Sequence, residues 1–153
     1  MRLNKLTDYA VLTMIPLAQA WPEGHVMSAR SLAEIANIPL PTVSKLLKVL
    51  AQADLVTSTR GIAGGYRLST TPVDISVADI LEAVEGPVAL TDCVTGQEGD
   101  CSVQSLCWMK GRWDPVNQAV SSALSEVSLL DMMPTPFSFE PSFEERVSSR
   151  ASD

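Results

Sequence analysis

Apolar residues recur at helical spacing near the start of the chain. Leu6, Ala10, Met14 and Leu17 share one side of a predicted helix that Thr7 can cap and that runs to about Gln19, with Pro16 bending its last turn. The break Trp21-Pro22-Glu23-Gly24 follows. Ser28 then opens a short helix to Ala36, with Leu32, Ile35 and Ala36 facing inward. After Asn37-Ile38-Pro39 a third helix is expected to about Ala53. Pro41 takes its first position, and Val43, Leu46, Leu47, Leu50 and Ala53 form one stripe. Thr42, Ser44, Lys45, Lys48 and Gln52 are left on its outer face.

The period then changes. Leu55 to Thr59 is β-branched enough for a strand, Arg60 to Gly65 is a glycine-rich turn, and Tyr66-Arg67-Leu68 starts the return strand of a hairpin. Ser76-Val77-Ala78-Asp79 has the pattern of a capping box, and the helix it opens ends at Glu85 before Gly86-Pro87. A long helical segment is predicted from about Gln104 to Val127, with Val116, Val120, Ala123, Leu124 and Val127 at helical spacing and a possible split at Asp114-Pro115. Beyond Met133 the prolines 134, 136 and 141, with serines and mixed charges, read as a flexible tail.

Two short helices joined by a tight turn and followed by a hairpin make a winged helix-turn-helix. The expected fold class is therefore mainly α with a small β-hairpin. Residues 1–75 form the winged helix-turn-helix domain, 76–132 a cysteine-bearing loop and a long C-terminal helix, and 133–153 the tail.

Charge supports a nucleic-acid reading despite a net charge of −7, because the charges are segregated. Residues 1–70 hold seven basic against four acidic groups, whereas the remainder holds four against fourteen. A basic front on an acidic back suits a protein that touches DNA with one end. Lys45 and Lys48 can neutralise phosphates or reach guanine edges. Thr42 and Ser44 lie near the start of the reading helix, where base contacts concentrate, and Ser28 and Arg30 open the preceding helix. Exposed helices carry lysines for solubility alone, so the wing decides: Arg60 stands at the hairpin tip beside Gly61, able to enter a narrow minor groove.

Arg2 and Lys5 precede an apolar stretch ending in Ala18-Gln19-Ala20, a superficial leader pattern. Asp8, Thr13 and Pro16 interrupt it, and it is far short of the ~20 apolar residues that span a bilayer. A cytoplasmic protein with no membrane partner is expected. An enzyme is not, since the chain has one histidine and neither a phosphate-binding glycine loop nor a carboxylate pair with a nucleophile.

The three cysteines, Cys93, Cys101 and Cys107, cluster in a loop with Gly96 and Gly99 in an otherwise cysteine-free chain. This is unlike a secreted disulfide framework and points to a metal or redox site. Thiolates favour zinc, copper(I) or iron-sulfur clusters, and three of them leave one position for another donor. A zinc or thiol-redox site in a DNA-binding regulator, and a small iron-sulfur carrier, stand as alternatives.

Met1-Arg2-Leu3, Thr7-Asp8-Tyr9-Ala10, Leu55-Val56 leading into Arg60-Gly61 and Gly64-Gly65-Tyr66, and three cysteines before a long helix occur in that order. The combination resembles the bacterial iron-sulfur winged-helix regulators, the family that includes IscR, NsrR and RirA, over about residues 1–132. The resemblance implies a homodimer crossed by long C-terminal dimerisation helices, with a wing of each subunit in a minor groove of operator DNA. It also implies a 2Fe-2S or 4Fe-4S cluster near the dimer interface, on Cys93, Cys101 and Cys107, and repressor-type control of Suf-type cluster assembly or iron-homeostasis genes in response to cluster status, iron, redox state or nitric oxide. IscR-type members place a histidine ligand three residues after the last cysteine, where this chain has Lys110, whose ammonium cannot coordinate. NsrR-like members use an aspartate near the start of the first helix, supplied by the partner subunit, and Asp8 matches it; a carboxylate there also favours the helix dipole. Asp92, Glu98, Asp100 or an exogenous molecule are the other candidates, and His25 reads as a loop residue. At Ser44, IscR-type proteins that change operator choice with cluster state carry a glutamate, so that discrimination is not implied here.

Overall fold

The computed structural model describes residues 3–91, 94, 108–109 and 111–134. Helix α1 spans Lys5–Gln19 and is capped by Asn4, whose side chain accepts the Leu6 N–H at 3.2 Å. Thr7, expected as the cap, instead lies inside the first turn. It is buried because starting the helix at Lys5 puts Thr7 on the same side as Ala10, Met14 and Leu17, and its hydroxyl donates to Glu85. A single 3-10 turn, Trp21–Glu23, ends at Gly24 in the left-handed region (φ 67°).

Helix α2 spans Ala29–Ala36 and α3 spans Leu40–Gln52. Ser28 caps α2 as expected, accepting the Ser31 N–H at 3.1 Å. The buried side of α2 differs from the expected one: Leu32 and Ala33 face the core, whereas Ile35 is 58% exposed. The cause is the helix end. Asn37 adopts φ 54° and turns the chain, the Ile38 N–H returns to the Ala33 carbonyl at 3.0 Å, and Ile38 supplies the buried group that Ile35 would have. In α3 the stripe Val43, Leu46, Leu47 and Leu50 is buried as the spacing predicts, Ala53 is exposed just past the helix, and Pro41 is the second helical residue.

Strands β1 (Val56–Thr59) and β2 (Gly65–Leu68) pair antiparallel, with Val56 opposite Leu68 on the core side and Thr57 opposite Arg67 on the outer side. Met27 bridges Tyr66 antiparallel, extending the hairpin toward the start of α2. Helix α4 spans Val77–Glu85 and opens with the full capping box of Ser76 and Asp79.

Helix α5 spans Asp114–Ser125, so the expected long helix begins at the Asp114-Pro115 split rather than continuing through it. Residues 108–109 and 111–113 form turns, with Gly111 at φ 74°; positions 104–107 and 110 lie outside the described residues. No residue of α5 is buried within the chain. Past α5 the chain turns back: Val77 N–H donates to Val127 at 2.8 Å and Leu129 N–H to Ile75 at 2.7 Å. This drives Leu129 into one apolar cluster with Met14, Leu32, Leu47, Leu50, Leu68 and Ile80. The tail reading for 135–153 also lies outside the described residues.

Candidate nucleic-acid interface

The apolar stripe of α3 packs inward and leaves Ser44, Lys45 and Lys48 exposed, with Thr42 half-buried at the edge of that face. Arg30 is exposed on the first turn of α2, beside the Ser28 cap. Ser28 has a local task as well, since its hydroxyl lies 2.9 Å from that of Ser31 while it caps the helix. The start of α2 therefore combines a cation with the positive end of a helix dipole, an arrangement suited to a phosphate.

The wing tip is shaped by its backbone. Arg60 follows β1 directly and is exposed, Gly61 takes φ 113°, and the Gly64 N–H closes the turn on the Gly61 carbonyl at 3.0 Å. A side chain on Gly61 would find open space, so only its backbone conformation demands glycine. Sequence reasoning missed Ile62, which protrudes fully into solvent at this tip. The signal was present in Gly61-Ile62-Ala63-Gly64, because an apolar side chain in a tight turn has no core to enter.

Among the described residues the one close contact between a basic and an acidic side chain is His25 Nδ1 to Glu23 Oε2 at 3.0 Å, an ion pair only when the imidazole carries a proton. Arg30, Lys45, Lys48 and Arg60 thus present their charge to solvent rather than to carboxylates of the described chain. Lys5 sits over the Tyr9 ring at 5.2 Å, and hydrogen bonding to the Tyr9 phenol raises its ammonium above the ordinary lysine range. The arrangement can neutralise phosphates along a groove and offer hydroxyls and cations to base edges.

Asp8 is exposed in the first turn of α1 and opens on a groove of about 620 Å³ bounded by Leu3, Val11, Val77 and Met132. Cys93, Cys101 and Cys107, with Asp92, Glu98, Asp100 and Lys110, lie outside the described residues. Among the described residues no three histidine, cysteine or carboxylate side chains gather as a metal site. No helix among them is long and apolar enough to cross a membrane.

A reading helix behind an apolar core, an exposed arginine on a glycine-hinged wing, and solvent-facing cations on both define a winged-helix DNA-binding regulator. The chain belongs to the Rrf2 family, described as "Iron-dependent Transcriptional regulator", which matches residues 3–135. It is 35% identical to the HTH-type transcriptional regulator IscR of Aliivibrio salmonicida over 133 residues, 87% of this chain and 77% of that one. Among solved structures it is similar to IscR of T. potens, with 34% identity, a TM-score of 0.63, and coverage of 86% of this chain and 85% of that one. It is also similar to CymR, the global cysteine regulator of B. subtilis, with 28% identity, a TM-score of 0.66, and coverage of 86% and 95%. The protein is a DNA-binding transcriptional regulator, and its relatives are regulators rather than enzymes. That sets aside the reading as a small iron-sulfur carrier.

Proposed function

We propose that this regulator is a cytoplasmic homodimer that represses its target genes according to the state of an iron-sulfur cluster, 2Fe-2S or 4Fe-4S, bound by Cys93, Cys101 and Cys107 and by the partner subunit's Asp8. One observation carries the reading: a chain of an iron-dependent regulator family places all three of its cysteines within one short segment. The donor chemistry fits, because three thiolates need one further ligand, Lys110 cannot supply it, and Asp8 is an exposed carboxylate at the position the family resemblance marks. His25 is occupied with Glu23 at 3.0 Å in the α1–α2 turn. When bound, the cluster would supply a centre that iron scarcity, oxygen or nitric oxide can dismantle.

The protein's own residues do the rest. Thr42, Ser44, Lys45 and Lys48 of α3 enter the major groove, Ser28 and Arg30 hold a phosphate, and Arg60 with Gly61 reaches the minor groove. Helix α5, unburied within its own chain, packs on its counterpart and sets the distance between two reading heads. Suf-type assembly or iron-homeostasis genes are the targets the family points to. Oxygen-free reconstitution with ferrous salt and sulfide tests this: a brown protein with near-stoichiometric iron and sulfide supports it, and a colourless one rejects it. Asp8→Ala should fold normally but release its cluster faster, and an unchanged release rate would remove Asp8 from the ligand set.

A second reading, a zinc-bound or thiol-redox regulator, draws on the fold likeness to CymR, which is as high as that to IscR. A colourless protein that retains zinc, or that loses free thiols reversibly on oxidation, would favour it.

A further inference from the structure

The main chain that leads into the cysteines is held by a side chain from another element. The Asn117 side-chain carbonyl accepts the Leu90 N–H at 2.9 Å, and its side-chain amide donates to the Val88 carbonyl at 2.9 Å. One planar amide therefore pairs with a donor and an acceptor two residues apart, as an adjacent strand would. Asn117 sits in the first turn of α5, about one turn past Trp113, and both bonds are partly shielded from water. No other described side chain of α5 bonds to this stretch.

The same stretch is fixed at its upstream end. Glu85, the last residue of α4, accepts the Asn4 N–H at 3.1 Å and the hydroxyl of buried Thr7. These bonds tie the exit of α4 to the first turn of α1, where Asp8 resides. Between Glu85 and Leu90 lie four residues beginning at Gly86, whose φ of 87° makes the turn out of α4. Three residues beyond Leu90 comes Cys93. Upstream of Cys93, a change in what the cysteines hold would thus meet a short, doubly anchored strap before it reaches α4.

We propose that Asn117 is a positioning residue that couples the cysteine segment to α5, so that cluster state is read out as a displacement of that helix. The inference rests on the cluster reading given above. A hydrogen bond to Asn117 transmits a pull or a release along its own axis, whereas apolar contacts at this half-exposed edge would slip. The neighbouring residues serve no such purpose: Gln118 is exposed, and Val116 points away from the chain.

Two variants of the full-length protein test this. Asn117→Asp keeps the size and the acceptor for Leu90 but sets a carboxylate oxygen against the Val88 carbonyl, and Asn117→Ala removes both bonds. In the cluster-free protein, exchange of the Leu90 amide should accelerate about tenfold or more in Asn117→Ala relative to wild type, with the core amides of α3 unchanged. In the reconstituted protein the ratio of operator Kd with and without cluster, whatever its wild-type value, should fall toward one in both variants. A wild-type ratio already at one, or a wild type that takes up no cluster, overturns the cluster reading and this coupling with it. A wild-type ratio away from one that both variants preserve overturns the role of Asn117 alone. Unchanged Leu90 exchange in cluster-free Asn117→Ala does the same without reference to any cluster.

Discussion

Met27 and Tyr66 exchange two main-chain hydrogen bonds, Met27 N–H to the Tyr66 carbonyl at 2.9 Å and Tyr66 N–H to the Met27 carbonyl at 2.8 Å. They join the residue just before the α2 cap to β2 of the wing and so tie the start of α2 to the hairpin. Gly65 lies under this bridge, and a Cβ there would stand 2.7 Å from the Met27 carbonyl oxygen. Backbone cannot step aside as a flexible side chain can.

Gly65→Ala should therefore cost about 1–3 kcal/mol through overpacking and weaken operator binding by tilting the wing. Thermal denaturation and a gel-shift titration check it. A variant as stable and as tightly binding as wild type would mean that the bridge tolerates rearrangement.

Lys48 and Arg60 should fail in different ways. Lys48→Ala removes a cation from the outer face of α3 and should weaken binding to all sequences, flattening the salt dependence by about one unit of slope. Arg60→Ala should instead erode the preference for sites with a narrow, A·T-rich minor groove. Binding isotherms at several salt concentrations on two duplexes separate these outcomes. Equal losses on both duplexes for Arg60→Ala would place that residue on the phosphates.

The reading head was legible from residues 1–75 because its signals are local and agree with one another. The stripe of α3, the Ser28 cap and the Ser76-Asp79 box each follow from spacing alone. Where a choice depended on tertiary packing, local signals did not decide it. Asn4 and Thr7 are both good caps, and what separates them is Glu85, distant in sequence, which offers the Thr7 hydroxyl a partner inside the fold. Ile35 fits a helical stripe, but Asn37 reverses the chain and Ile38 fills the space. The single stripe predicted for α5 is two faces: Val120 and Leu124 are half-buried against the body, whereas Val116, Ala119 and Ala123 face out. A one-dimensional period cannot tell packing within a chain from packing between chains.

A charged group closes the turn past α5, which makes acid a lever. The Asp131 carboxylate accepts the Ser128 hydroxyl at 2.6 Å and the Ser128 N–H at 2.8 Å, and these two bonds hold it below the ordinary carboxylate range. A depressed carboxylate contributes stability that is complete above its unfolded pKa and is lost as pH falls through its folded pKa. Asp131→Asn should lower stability at neutral pH and flatten the acid limb of the stability profile below about pH 4, the ordinary carboxylate range. Melting curves of both proteins from neutral pH down through the carboxylate range test this, and parallel acid limbs would show that the carboxylate bonds do not stabilise the turn.

Val116, Ala119 and Ala123 recur along one exposed face of α5, and Val127, 37% exposed, continues it just past the helix. A helix this apolar on its outer side, with none of its residues buried in its own chain, is stable when a second surface covers it. Two copies of the same stripe satisfy each other, and the small side chains of Ala119 and Ala123 allow a close crossing of helices. Ala123→Glu places a charge in that crossing at a position exposed within the chain, so it should cost the isolated fold less than about 0.5 kcal/mol. Sedimentation should find the variant monomeric at concentrations where wild type is dimeric. Its operator affinity should drop by far more than a single lost phosphate contact explains, because two half-sites are then bound independently. A variant that still sediments as a dimer would place the interface on another face of the molecule.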